Sequence, residues 1–548
     1  MFRNLHFVLM VLLVFSSCKE KVEQKKQAGK SLKMTATAFD GWHHKDLKKD
    51  SLPGISLDRV YEELITEDSG QEIIVALIDS PVDIDHEDLK DQIYVNTKEI
   101  PGNGKDDDNN GYVDDIHGWN FLGYQDNKTI QFANYDYIRV LRRLAPIFEG
   151  RDSSSIIETD DKLDYEKYKK ALKLKEEDVA DIQGELEYHI EERKKYYACV
   201  KAFPELVDPK TGVFDKEKAD SLTPKTDTQK ELLTAVQDFA YYGAYPELLD
   251  VSVAQGEARS EKVANLDYNE RLVIGDDIYD LDDVRGHGNI DAPQGRITHG
   301  TQVAGSIAAT RNNEIGIKGV SDKIKLMVLS VFPERGNELD KDVANAIRYA
   351  VDNGARIINY SHGRYFVDKE EILMDAIKYA GENDVLIISA AGNTPINIDI
   401  PENSPHPKDN PNNGDEIVDN LIKVGATGKN PDYIKPYWSS YGKRNVDFFA
   451  PGQRIMTTNS GSHSYFELGG SSLSCGIASG VAALLLSHYP NLSSRQVKEI
   501  LIKSGESFDT EIKIEDDIKS SFQDLSKSGK VLNAYNAMIM AEEVSNSN

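Results

Sequence analysis

The chain has 548 residues, of which 39% are hydrophobic and 28% are charged, and its formal net charge at pH 7 is -28. This composition is typical of a globular protein and excludes a fibrous or intrinsically disordered chain. The length allows one large domain or two to three smaller ones. Because so much negative charge repels phosphates, the composition argues against nucleic acid as a partner.

The first residues have the pattern of an export signal. Arg3 supplies a positive charge, residues 7–15 form an apolar run, and Ser16 and Ser17 precede Cys18. An apolar run this short fits the core of a signal peptide and is too short to span a bilayer. Small residues directly before a cysteine resemble a bacterial lipobox, in which the cysteine becomes the lipidated first residue of the mature chain.

These features predict a signal peptide over residues 1–17 and a tether over residues 18–40, with lipid on Cys18. The protein is then exported to the cell envelope or surface and contacts a membrane through the lipid anchor only. The alternative is a plain signal peptide followed by a chance cysteine. The other two cysteines, Cys199 and Cys475, lie in very different contexts and make no disulfide framework.

Downstream of residue 72 the chain alternates between apolar runs and helical patterns. Runs with little polar alternation are typical of strands buried on both faces. Five such runs are predicted to be strands: residues 73–78, 325–332, 356–361, 385–391 and 421–427. Helices are predicted over residues 340–353 and 368–382. The alternation predicts an α/β fold with a parallel sheet, whose site lies at the carboxyl ends of the strands.

Residues 125–290 interrupt this alternation and are predicted to form a mainly helical insertion. Apolar residues recur there at a helical period, at Tyr165, Tyr168, Leu172, Val179, Ile182, Leu186 and Ile190. A second helix is predicted from Thr228, with Glu231 completing a capping box. Two roles for the insertion stay open: a lid that takes part in control of the site, or a solvated decoration without a catalytic role.

Four residues have the chemistry of acyl transfer. Asp79 follows a buried strand, and Asn393 lies just past another strand end. His299 begins a helix rich in small residues, whose positive end is expected to keep the imidazole neutral at rest, and Ser472 opens a second such helix.

A serine hydroxyl needs a base within hydrogen-bond reach, and the base needs a third group to fix its tautomer. The sequence therefore predicts Asp79, His299 and Ser472 as a catalytic triad. The amide of Asn393 and the backbone N–H of Ser472 are the predicted donors to an oxyanion.

The order Asp, His, Asn, Ser within the motifs IVALIDSPVDIDHEDL, THGTQVAGSIAA, SAAGN and GGSSLSCGIASG resembles the subtilisin family of serine proteases. The motifs INYSHG, YGKRNVDFFAPG and GKVLNAYNA are similar to a bacterial lipoprotein branch of that family. The resemblance implies a three-layer sandwich with a central parallel sheet, formed by residues 41–124 and 291–540. It also implies a serine endopeptidase acting on protein or peptide substrates, expected to be a monomer.

The same resemblance assigns residues to substrate binding. The segment expected to pair with the substrate backbone is Ser361, His362 and Gly363. The residues expected to line the pocket for the substrate residue before the scissile bond are Ala390, Ala391 and Gly392.

Several positions depart from the family pattern. Pro81 stands where the family usually has glycine, and Gln302 stands where it has a second histidine. The serine motif is GSSLSCG, and Gly476 replaces a proline expected in the first turn of the helix. The alternative function is thus a catalytically impaired subtilisin fold that serves as a binding lipoprotein. An esterase is disfavoured because the G-x-S-x-G elbow is absent around Ser472.

The acidic loop NGKDDDNNGYVDDIHGWN, residues 103–120, predicts a structural calcium site. Oxygen ligands at alternate positions followed by glycine suit calcium, and closely packed carboxylates repel each other without a cation. The candidate ligands are Asp106, Asp108, Asn110, Tyr112, Asp114 and Asp115. The alternative is a solvated acidic turn. No organic cofactor is expected.

Overall fold

The computed structural model describes residues 41–547 except 66–68, 157, 243, 293–297, 409–414, 462 and 516–517. The predicted signal peptide, the tether and Cys18 lie outside the described residues. The chain divides into two compact units. The described part of the first unit is Phe132–Asn269, and the second is formed by the described residues of 41–131 and 270–547.

The strands are named in chain order. They are β1 Ile73–Asp79, β2 Gly118–Asn120, β3 Gly123–Tyr124, β4 Lys128–Thr129, β5 Ile324–Ser330, β6 Ile357–Tyr360, β7 Leu386–Ala390, β8 Leu421–Thr427, β9 Phe448–Pro451, β10 Ile455–Asn459, β11 Ser464–Leu468, β12 Glu506–Ser507, β13 Glu511–Glu515, β14 Ile518–Ser521 and β15 Lys530–Val531.

The helices of ten residues or more among the described residues are α1 Asp136–Phe148, α2 Thr159–Ala202, α3 Asp227–Tyr242, α4 Pro246–Ala258, α5 His299–Ala308, α6 Asp340–Asp352, α7 Glu370–Glu382, α8 Ser471–His488, α9 Ser494–Ser504 and α10 Ala534–Ser547. Shorter α-helices are Leu47–Asp50, Leu57–Arg59, Lys216–Asp220 and Arg271–Ile274.

The second unit is built on a nine-stranded sheet in the order β12-β15-β9-β8-β7-β6-β1-β5-β2. All neighbouring strands run parallel except β12, which pairs antiparallel with β15. The five predicted strands are β1, β5, β6, β7 and β8 of this sheet, and they occupy its central positions. Strands there are covered on both faces, which is why their sequences are almost wholly apolar.

The sheet has a helical layer on each face, because successive side chains of a strand point to opposite sides. On one face, Leu77 belongs to a core cluster with residues of helices α5 and α8. On the other face, Ile78 belongs to a second cluster with residues of α6 and α7. The predicted three-layer sandwich with a central parallel sheet is confirmed.

Helix α8 is the most deeply buried helix of this unit. Of the described helices it is the one long and apolar enough to cross a membrane, with a mean hydropathy of 1.3. Sixteen of its 18 residues are buried, and it contacts strands β1, β6, β7, β8 and β9. Its apolar character is therefore that of a core helix.

The first unit is helical, as the sequence predicts. Helix α2 runs for 44 residues and contacts α1, α3 and α4. Of its predicted apolar stripe, Tyr168 and Ile182 are buried, but Val179 is 43% exposed. The stripe is not continuous because the three partner helices cover different parts of so long a helix.

The predicted capping box at the start of α3 is wrong by two residues. The helix begins at Asp227, and the hydroxyl of Thr226 accepts a hydrogen bond from the Gln229 backbone N–H at 3.1 Å. The Gln229 side chain in turn accepts from the Lys225 N–H at 2.8 Å. Thr228 therefore lies inside the first turn and cannot cap it.

Candidate active site

The predicted catalytic residues come together because the sheet is parallel. Asp79 is the last residue of β1, Ser361 directly follows β6, and Asn393 lies three residues after β7. Carboxyl ends of parallel strands meet at one edge of a sheet. His299 and Ser472 start helices α5 and α8, which pack against each other on the same face.

Asp79 and His299 form a direct pair. The carboxylate of Asp79 is fully buried, and its Oδ1 accepts a hydrogen bond from His299 Nδ1 at 2.7 Å and another from the Ser80 backbone N–H at 2.7 Å. Its Oδ2 is buried without a hydrogen-bond partner among the described residues. An Asx turn would bring the N–H two residues on to this carboxylate, but Pro81 has no N–H. The departure at Pro81 leaves the bond to His299 in place.

Asp79 decides the protonation behaviour of His299. Partial desolvation of the ring lowers the pKa of His299, but the Coulombic attraction and the hydrogen bond of Asp79 outweigh it, so the pKa is raised. The expected influence of the helix end, which would lower the pKa of His299, is therefore not the dominant one. A buried carboxylate at hydrogen-bond distance acts more strongly than a helix dipole.

The hydroxyl of Ser472 donates to the backbone carbonyl of Ser361 at 3.2 Å. In return, Ser361 Oγ donates to the Ser472 carbonyl at 3.1 Å. No hydrogen bond joins Ser472 to His299 within the described part of the chain. The Ser472 hydroxyl is therefore bonded to a backbone carbonyl and not to the base, and nucleophile–base bonds often form only when substrate is bound.

Asn393 is held with its amide group facing outward. Its Oδ1 accepts two hydrogen bonds from Ser471, from the backbone N–H at 2.8 Å and from the hydroxyl at 2.8 Å. Its Nδ2 has no partner among the described residues and is free to donate. The hydroxyl of Ser471, which also accepts from the Gly392 N–H at 3.3 Å, fixes this orientation. In the sequence, Ser471 is part of the altered motif GSSLSCG, and nothing local indicates its positioning role.

The two predicted oxyanion donors lie on the same side of Gly470. A methyl group added to Gly470 would lie 3.6 Å from Asn393 Nδ2 and 3.8 Å from the Ser472 backbone N. Both nitrogens therefore border the same small space beside Gly470. A longer side chain at residue 470 would occupy this space.

Two of the other departures have structural reasons. A side chain at Gly476 would meet Ser306 Oγ at 2.2 Å, because helix α8 crosses α5 there. Gln302 Nε2 donates to Asn459 Oδ1 at 2.9 Å, and this hydrogen bond connects α5 with β10. Neither residue removes a group from the triad.

The residues assigned to substrate binding flank the serine. Ser361 is buried, His362 is half-buried, and the His362 carbonyl accepts from Ser389 Oγ at 3.1 Å. The ends of β6 and β7 are thereby joined. Gly392 has a φ of +115°, a conformation that favours glycine.

The remaining residues of this group are close to neighbouring chain segments. A side chain at Gly363 would meet Pro405 Cβ at 2.9 Å. Ala390 and Ala391 are buried, and the Ala391 N–H donates to the Val424 carbonyl at 2.9 Å.

Glu338, a buried carboxylate in contact with His362, was not among the residues predicted for the site. Glu338 Oε1 accepts from His362 Nδ1 at 2.7 Å and from the Tyr360 hydroxyl at 2.8 Å, and it pairs with Arg364 at 2.9 Å. Burial raises the pKa of Glu338, but Arg364 and then His362 bring it well below its usual range. Nothing in the local segment RGNELDKD indicates this role.

The acidic loop gathers three carboxylates. Oxygens of Glu99, Asp106 and Asp108 all lie within 4.8 Å of one another. Glu99, which the sequence did not single out, is buried, and its Oε1 also accepts from the Asp107 and Asp108 N–H groups. This is a donor set of hard oxygens that suits calcium.

The other candidate ligands have different surroundings. Asp114 accepts from the backbone of residues 103 and 104, and Asp115 accepts from Asn96 and Asn110. Asn110 Oδ1 accepts from the Tyr112 N–H at 2.8 Å. The Tyr112 ring packs edge-on against Trp119 and Tyr349.

The fold and this site define a class of protein: a three-layer α/β sandwich with an Asp–His pair beside a serine at a helix start. The model of the subtilase family, peptidase S8, matches residues 70–525, and the chain belongs to this family.

Individual relatives match over shorter stretches. The chain is 34% identical over 199 residues to thermitase from Thermoactinomyces vulgaris, a match that covers 36% of this chain and 64% of thermitase. It is 31% identical over 202 residues to a thermostable alkaline protease from Halalkalibacterium halodurans, covering 37% of this chain and 50% of that protein. A solved structure of a cold-adapted subtilisin-like serine proteinase shares 22% identity with a TM-score of 0.35, covering 47% of this chain and 80% of that one.

Proposed function

We propose that this subtilase is an exported, lipid-anchored serine endopeptidase that cleaves extended segments of protein or peptide substrates. The observation that carries the proposal is the 2.7 Å bond from buried Asp79 to His299, beside the helix start that holds Ser472. All three groups of a nucleophilic triad are retained at one edge of the sheet, despite the altered serine motif.

Each group then has a defined task. His299 takes the proton of the Ser472 hydroxyl as the oxygen attacks the substrate carbonyl, and Asp79 stabilises the imidazolium that results. The negative oxygen of the tetrahedral intermediate accepts from Asn393 Nδ2 and from the Ser472 N–H. His299 next gives its proton to the leaving amine, which leaves an acyl group on Ser472 for water to remove.

The first test is covalent labelling of the purified full-length protein with a fluorophosphonate probe. We expect labelling of the wild-type protein and none of Ser472→Ala, because the probe reacts only with an activated serine. Ser474→Ala is a matched control, since the Ser474 hydroxyl donates to the Ala450 carbonyl inside the fold. A folded wild-type protein that does not label would favour the alternative function, a binding lipoprotein on an inactive fold.

The anchor is tested separately. The motif ending at Cys18 supports lipidation, and residues 18–40 supply a polar tether. We expect wild-type protein in the detergent phase of a detergent–water partition and Cys18→Ser in the water phase. Cys199→Ser is the control, because Cys199 is buried within its helical unit. Equal partition of wild type and Cys18→Ser would contradict the anchor.

We further propose that the acidic loop holds a structural calcium ion on Glu99, Asp106 and Asp108. Three carboxylates that approach so closely repel each other, and a bound cation offsets this repulsion. The ion would hold the loop that precedes β2 in one conformation. None of its three ligands is a group of the proposed triad, so its proposed role is structural.

Calcium removal is expected to lower the melting temperature by about 5 °C, since saturating ligand adds about 2–3 kcal/mol to the folded state. Thermal unfolding is measured with excess calcium and with a chelator. Glu99→Gln should lose this difference, whereas Asp91→Asn, an exposed acid outside the loop, should keep it. A wild-type melting temperature that is indifferent to chelator would refute the site.

A further inference from the structure

The ring of Phe332 lies between the side chain of His362 and that of His299 in the proposed triad. Its imidazole centroid is 4.7 Å from the ring of Phe332, and the Phe332 ring is 6.5 Å from that of His299. The preceding residue, Ser361, accepts the hydrogen bond of the Ser472 hydroxyl. The side chain of His362 is 36% exposed, so a substrate lying along this segment can reach it.

The inner nitrogen of His362 is fixed by Glu338. Glu338 is ionised, because Arg364 and His362 hold its pKa well below the usual range, and a carboxylate only accepts hydrogen bonds. His362 Nδ1 must therefore donate across the 2.7 Å contact. A neutral ring then carries its lone pair on Nε2, for which no partner exists in the described part of the chain.

Three charged residues form a connected group with His362. Glu338 precedes helix α6, Arg364 follows β6, and Asp340 begins α6 and pairs with Arg364. The Tyr360 hydroxyl donates to Glu338, and the uncharged ring of Phe332 packs against that of His362. Two carboxylates and one guanidinium leave one net negative charge in this group.

We propose that His362 is a specificity-determining residue that reads one side chain of the substrate through Nε2. The inference rests on the proposed peptidase function. With the neutral ring, Nε2 accepts a hydrogen bond, which favours a substrate side chain that donates one, such as threonine, glutamine or lysine.

The test is a peptide library in which one position at a time is varied, cleaved by purified full-length protein. Ratios between competing peptides are measured, because the state of the triad affects all peptides alike and cancels. At one position we expect donor side chains to be favoured over leucine about fivefold, as a single neutral hydrogen bond allows.

Two variants identify the residue. His362→Leu should lose the donor preference at that position. His362→Gln keeps an oxygen that can accept a hydrogen bond, so it should retain a donor preference. It also serves as a second variant if leucine prevents folding.

The failures of the two proposals are distinguishable. Wild-type protein that does not react with the fluorophosphonate probe overturns the peptidase function, and this inference with it. Protein that labels and cleaves, but shows the same ratios in wild type, His362→Leu and His362→Gln, overturns the role of His362 alone.

Discussion

Replacing Asp79 by asparagine is expected to reduce kcat about 10⁴-fold, the scale known for this substitution in serine peptidases with such a triad. The Asp79 carboxylate accepts from His299 Nδ1 at 2.7 Å and so leaves Nε2 as the base. An amide donates instead, which favours the wrong tautomer and leaves the imidazolium without a negative partner. Asp85→Asn is the control, because Asp85 is exposed and lies six residues farther along the chain.

The same substitution should also change the pH dependence. His299 must be neutral to accept a proton, and Asp79 raises its pKa. Wild-type kcat/KM is therefore expected to fall as the pH drops through a pKa above that of ordinary histidine. Without the carboxylate the protonated ring is less favoured, so the acid limb of Asp79→Asn should move to lower pH. A variant that keeps more than about a tenth of the wild-type kcat would contradict the triad.

Replacing Asn393 by alanine is expected to reduce kcat by about 10²–10³ with little change in KM, the scale established for subtilisin's own oxyanion asparagine. No described residue accepts a hydrogen bond from Asn393 Nδ2, and together with the Ser472 N–H this group flanks the space beside Gly470. A donor aimed at charge that appears only in the transition state affects kcat more than substrate binding.

A variant of Ser471 distinguishes hydrogen-bond donation by Asn393 from the positioning of Asn393 by its neighbour. Ser471→Ala removes one of the two hydrogen bonds that hold Asn393 Oδ1 and leaves the backbone N–H in place. We therefore expect a loss smaller than that of Asn393→Ala. Steady-state kinetics on one peptide amide substrate measures both variants. Equal losses, or a rise in KM alone for Asn393→Ala, would show that Asn393 positions the chain and does not donate to the oxyanion.

Strands and candidate catalytic residues could be predicted from the sequence wherever the pattern that indicates them is local. Strand β8 was predicted with its observed bounds, because a strand buried on both faces is apolar at every position. Asp79 and Ser361 were placed at strand ends for the same reason. The start of α3 was misplaced because Thr226 and Thr228 both offer a hydroxyl, and only the backbone geometry decides which one caps the helix.

Contacts in the site that the sequence did not predict depend on the folded chain. Glu99 joins Asp106 and Asp108 across a turn, whereas Asp114 accepts from backbone N–H groups instead. The pKa of His299 depends on a carboxylate 220 residues away in sequence. The separation of two residues along the chain does not show whether they are in contact. Such pairs are brought together only when the chain folds.

The sequence by itself determined the parallel α/β architecture, the helical unit and the candidate groups Asp79, His299, Asn393 and Ser472. Periodicity and residue type are local properties, and both can be read along the chain. Tertiary structure alone decided that Ser471 orients Asn393 and that Glu338 fixes His362. It also explains the glycine at position 476, because α5 and α8 cross closely there. These are contacts between segments far apart in sequence, and only packing of the layers defines them.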